Sequence, residues 1–143
     1  MLRLSTAGLS LLLLAACSSS TSPERERPPF SVGPVDSPEA PEGATNPPTV
    51  RVREGGLEVL GIITTGHPCH EIDAMLQRDD RSLAITIVAV AEDGPCFTVI
   101  ANFAYAVEVD DLQPGSYRVT VAHSYENSGW PTTEVLDEVV AVP

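Results

Sequence analysis

The sequence predicts an all-β fold, a single seven-stranded antiparallel β-sandwich. Three observations point there. Apolar residues recur at period 2 in run after run, and no stretch carries a helical period. Turn residues interrupt those runs at short spacing, as at Gly55-Gly56, Asp79-Asp80-Arg81 and Glu92-Asp93-Gly94-Pro95. Aromatics make up only 5% of the chain while β-branched residues are many, which suits a small β core.

Two segments precede the sandwich. Residues 1–16 read as a targeting signal. Arg3 supplies the positive charge, and Leu9–Ala16 is an apolar run too short to span a bilayer. The run ends Leu14-Ala15-Ala16-Cys17, which resembles a bacterial lipobox. That resemblance implies that Cys17 is alkylated with diacylglycerol and that cleavage before it frees an amine for a further acyl chain. Two or three acyl chains anchor stably, at about 0.8 kcal/mol per buried CH₂. By the same resemblance, Ser18 rather than Asp after the cysteine points to the outer membrane. The implied location is the bacterial cell envelope, with the membrane as partner through lipid. Residues 17–48 read as the lipidated cysteine and a disordered tether. Pro23, Pro28, Pro29, Pro34, Pro38, Pro41, Pro47 and Pro48 punctuate it, and little in it can be buried. Fully extended as polyproline II, it would reach about 95 Å at about 3.1 Å per residue.

The sandwich is expected over 49–143, and its strands follow in order. Thr49–Glu54 turns Val50 and Val52 inward. Leu57–Thr65 is a longer apolar strand with Gly61 as a bulge or bend. His70–Arg78 places Ile72, Ala74 and Leu76 on one face and Glu71, Asp73 and Gln77 on the other. Ser82–Ala91 is apolar on both faces, the mark of a central strand. Cys96–Val109 keeps Phe97, Val99, Phe103, Tyr105, Val107 and Val109 in one phase, long enough for two strands or one bent one. Ser116–Tyr125 and Thr132–Val142 complete the seven, and the conflicting phases of the last imply a bulge.

The sharpest local signal is Leu112-Gln113-Pro114-Gly115-Ser116-Tyr117-Arg118-Val119-Thr120-Val121. Pro114 and Gly115 make a turn, and Tyr117, Val119 and Val121 then share a face. The pattern resembles the corner before strand F in fibronectin type III and related immunoglobulin-like sandwiches. The resemblance implies that the Tyr117 hydroxyl ties back to the turn backbone.

The chain carries eight Arg, no Lys and a net charge of −12. That excludes nucleic acid as a partner, because basic patches supply most of such affinity. Acidic pairs such as Asp79-Asp80 and Asp110-Asp111 sit in turns without calcium-loop spacing. No GxSxG, HExxH or phosphate-binding glycine loop is present, so neither an enzyme nor a cofactor is expected.

Two constellations remain. Once lipid accounts for Cys17, Cys69 and Cys96 form an even pair in an exported setting. A disulfide is expected, with a metal-bound or reactive thiol as the sharper alternative. Beside it lies His67-Pro68-Cys69-His70, which with His123 offers up to three imidazoles to a metal. Against that stand two surface histidines and a half-buried strand histidine. The loop Tyr125-Glu126-Asn127-Ser128-Gly129-Trp130 is the best recognition candidate, through Tyr125, Asn127 and Trp130. Trp130 either contacts a ligand or folds back over the core edge. The function expected is a lipid-anchored, non-catalytic binding or adhesion module whose partner is an envelope or extracellular protein or a glycan. The alternative is an envelope metal or small-ligand binder using His67, His70 and His123.

Overall fold

Alternation sets the strands, and turn chemistry sets where they stop. The computed structural model describes residues 25–143, which form nine strands and no helix. They are β1 (Arg25–Glu26), β2 (Phe30–Pro34), β3 (Thr49–Arg53), β4 (Gly56–Thr65) and β5 (His70–Asp79). Then follow β6 (Ser82–Ala91), β7 (Ala101–Val109), β8 (Gly115–Glu126) and β9 (Thr133–Val142). Two sheets stack face to face, in the orders β1-β5-β6-β8-β9 and β2-β7-β4-β3. The inward residues of both form one core, with Leu57, Ile63, Leu76, Ile85, Tyr105 and Val119 fully buried. The alternation in β5 holds: Ile72, Ala74 and Leu76 face in.

The seven-stranded, wholly antiparallel expectation needs correction. There are nine strands among the described residues, and β6 pairs with β8 in parallel, Ser82 opposite Arg118 through Val90 opposite Glu126. The reason is one of direction. After Ala91 the chain crosses to the other sheet as β7 and returns as β8. A single intervening strand leaves β8 running the same way as β6. β6 is central, as its two apolar faces imply.

The tether expectation also fails from residue 25 onward. β2 pairs with β7, Phe30 opposite Val107 and Pro34 opposite Phe103, and Phe30 and Val32 pack on the core. The rest of the segment is held by Val35 N–H donating to Asn102 O (3.1 Å) and Ile62 N–H donating to Thr45 O (3.1 Å). Proline content hid a short alternation. Pro34 is tolerated because β2 is an edge strand with no second ladder to serve.

The strand expected over Cys96–Val109 begins only at Ala101. Its neighbour β4 ends at Thr65, opposite Ala101, where Gly66-His67-Pro68 turns the chain away. Residues 96–100 therefore have no strand to pair with. Phe97 (84% exposed), Val99 and Ile100 stand out in solvent instead of entering the core, and Cys96 sits in a loop. The last strand does carry the irregularity its phase implied. Val121 faces Leu136 but Ala122 faces Glu134, so the register slips across Val135.

One end of the sandwich is tightly closed. Tyr117 Oη donates to Gln113 O at 3.0 Å, completing the corner. Arg81 Nη1 donates to the carbonyls of Gln113 (3.3 Å) and Pro114 (3.1 Å), and its guanidinium lies 4.9 Å above the Tyr117 ring. Leu112 N–H donates to Gly55 O (3.0 Å), and Arg78 Nη1 donates to Asp110 O (2.8 Å). The hairpin turn at this end places Asp80 at φ 48°, a conformation that Asp tolerates better than most residues.

Candidate functional site

The other end is built from three loops: 66–69 between β4 and β5, 92–100 between β6 and β7, and 127–132 between β8 and β9. Strand register brings them together, since His70 pairs with Ala91, Ala89 with Tyr125 and His123 with Thr133. Cys69 and Cys96 are joined as a disulfide across the first two loops, with Cα atoms 6.1 Å apart. Glu92 N–H adds a bond to Cys69 O at 3.1 Å.

Loop 66–69 is pinned through one carbonyl. His67 O accepts from Thr65 Oγ1 (2.8 Å) and from the His70 ring at Nδ1 (2.9 Å). Because a carbonyl only accepts, that contact puts the His70 proton on Nδ1. Nε2 is then left with a lone pair. His70 is only 8% exposed, and burial lowers its pKa, so the ring is neutral near pH 7. Its Nε2 is buried without a hydrogen-bond partner, and so is Nδ1 of His67. The two rings lie 4.2 Å apart, tilted by 34°.

The third loop turns sharply, with Asn127 at φ 59° and Gly129 at φ 74°. Trp130 N–H donates to Ser128 Oγ at 3.3 Å. The Trp130 ring meets Tyr125 edge-on at 5.2 Å and passes close to Gly66. Trp130 is nonetheless 42% exposed. It covers Gly66 and leaves part of its side chain in solvent.

The first and third of these loops, with the strand ends at His70 and Tyr125, line a pocket of about 200 Å³ formed by Gly66, His67, His70, Tyr125, Asn127, Ser128 and Trp130. Two candidate sites that lie far apart in the chain are thus one site. His123 does not belong to it. It is buried on β8, 3.0 Å from Tyr105 Oη through Nε2, and burial lowers its pKa to about 4. Gly61 makes that pair fit, for a side chain there would strike the Tyr105 ring. The three-imidazole set of His67, His70 and His123 is therefore not assembled. Among the described residues the one cluster of three candidate metal donors is His67, Cys69 and Cys96. Cys17 lies outside the described residues.

Sequence reasoning missed the exposed trio Phe97, Val99 and Ile100 at this end. The available signal was length: the expected strand outran its neighbour β4, which stops before Gly66-His67-Pro68. No protein-family model matches the chain, and neither a curated protein nor a solved structure matches it.

Proposed function

We propose that this chain is a lipid-anchored cell-envelope protein displaying a non-catalytic β-sandwich binding module. Its recognition face is the three-loop end, with Tyr125, Asn127 and Trp130 at the pocket and Phe97, Val99 and Ile100 on the loop that the Cys69–Cys96 bridge ties to it. The observation that carries the reading is the convergence of a half-exposed Trp-Tyr pair and two unpaired imidazole nitrogens in one pocket. Aromatic anchors beside exposed apolar residues favour a protein partner over a glycan, since aliphatic side chains gain by burial against another apolar surface.

Polarity of the domain supports display. Arg25 pairs with Gln77, near the hairpin at the closed end, so the chain enters there. Residues 18–24 reach roughly 25 Å when extended, and with Cys17 in the outer membrane they set the closed end towards the lipid. The loop end then faces outward. We read the sandwich as a variant of the immunoglobulin-like or fibronectin III-like type. The Tyr117–Gln113 bond supports that assignment, and the parallel β6–β8 pair is its departure from the usual pattern.

The test is in-cell photo-crosslinking of the full chain, with a crosslinking residue at position 130 and, as control, at position 80 on the closed end. Discrete adducts from position 130 alone support the reading. Equal adducts from both positions, or none from a folded and surface-exposed variant, overturn it.

A further inference from the structure

The disulfide and the imidazole of His67 occupy the same place, and His70 stands just outside that group of donors. One ring nitrogen of His67, the Cys69 Sγ and the Cys96 Sγ all lie within 4.8 Å of one another. His70 adds a second ring 4.2 Å from that of His67. Each ring carries a buried nitrogen with no partner, and such atoms are costly enough to need an explanation. Two sulfurs and two imidazole nitrogens are the donor set of a closed zinc site. In such a site each sulfur stands at about 2.3 Å from the metal and each nitrogen at about 2.0–2.1 Å. The bridged sulfurs must move apart to reach those positions. The Cys96 side can supply the movement, because residues 96–100 pair with no strand and their apolar side chains pack on nothing in the core.

We propose that reduction of the Cys69–Cys96 disulfide converts this junction into a thiolate–imidazole site for Zn²⁺, with His67 and His70 supplying the nitrogens. The two loops are then held either by a covalent bond or by a metal. The reductant is a dithiol. Its thiolate attacks one bridge sulfur, giving a mixed disulfide and releasing the other cysteine. Its second thiol then resolves that intermediate, so the reductant leaves as a disulfide and two electrons end on Cys69 and Cys96 as two thiols. Zn²⁺ displaces the two thiol protons and keeps its oxidation state. The proposal does not depend on what binds the outer loop face, and it stands even if position 130 crosslinks to nothing.

Co²⁺ serves as the probe, added to the detergent-solubilised full chain before and after reduction by a dithiol. The reduced chain should take up a single Co²⁺ with thiolate-to-metal charge-transfer bands and a tetrahedral ligand field, and Zn²⁺ should bleach both. The oxidised chain should give neither. Cys69→Ser should abolish the charge-transfer bands, while His67→Ala and His70→Ala should each weaken binding roughly tenfold or more. If the reduced chain loses its β-sheet circular dichroism, Zn²⁺ should restore it. Absent charge-transfer bands in the reduced chain, unchanged affinity in both histidine variants, or a reduced chain that Zn²⁺ does not refold would each overturn the site.

Discussion

The two ends of the sandwich solve the same problem differently. Both must turn strands around. At the closed end nearly every group that could be stranded has a partner. The Tyr117 hydroxyl, the Arg81 guanidinium and the Gln113 and Pro114 carbonyls satisfy one another. At the open end the opposite holds. Two imidazole nitrogens are buried without partners, three large apolar side chains stand in water, and a covalent bridge joins two of the loops. Polar satisfaction at one end and its lack at the other separate a region built for stability from one available for contact.

The largest effect should come from the bridge. It closes a loop of 27 residues, and in the chain-entropy model its loss costs roughly 3.5 kcal/mol. Typical domains hold only about 5–15 kcal/mol in total. The Cys69→Ser, Cys96→Ser double variant should therefore unfold at markedly lower denaturant, and hydrogen exchange should rise first at Thr65–His70. A loss under about 1 kcal/mol would mean that the loops hold themselves.

Acid should strike near the same end. His123 has a folded pKa of about 4 against an ordinary value of 6.5, and burial lowers His70 in the same direction. The unfolded chain then binds more protons between those values, so stability is full above pH 6.5 and falls as the pH drops towards 4. His123 alone can account for up to about 3 kcal/mol. The melting temperature should drop through that window, and His123→Gln should flatten the drop. An unchanged slope in that variant would remove His123 from the explanation.

What could be read from the sequence divides along the same line. The closed end was legible because its signals are local: Pro114-Gly115 sets a turn, and Tyr117 three residues after Pro114 reaches back to Gln113. The bridge was legible from cysteine parity together with the exported setting that the sequence implies. The open end depends on what lies opposite what. Nothing in Phe97-Thr98-Val99-Ile100 says that its partner strand has already ended, because alternation describes faces and not neighbours. For the same reason the sequence left His123 open between a half-buried strand histidine and a third ligand, and could not show that Tyr105 on the facing sheet holds it. Nor could composition show that the proline-rich segment after Arg25 lies along β7.

The corner gives a smaller, sharper test. Tyr117→Phe removes one hydroxyl and leaves the ring under Arg81. Gln113 O keeps its bond from Arg81, so no carbonyl is stranded and the cost should be about 1 kcal/mol. Crosslinking from position 130 should be unaffected, since the change is at the far end. Reduced crosslinking from a fully folded Tyr117→Phe protein would show that the two ends are coupled.

The smallest effect on stability should come from Phe97→Ser. The side chain is 84% exposed and fills no part of the core, so removing it should change the unfolding free energy by less than about 0.5 kcal/mol. Its expected consequence lies elsewhere. A large apolar side chain held in water beside a disulfide-fixed loop base is worth most when a partner covers it. Capture of a partner through position 130 should therefore weaken in Phe97→Ser, whereas Val139→Ser should leave it unchanged. Val139 makes a fair control, being 69% exposed on β9 and remote from the loop face, opposite Arg118. A Phe97→Ser protein that melts well below the parent would show instead that Phe97 supports the loop. One that captures its partner as well as the parent would narrow the recognition face to Tyr125, Asn127 and Trp130.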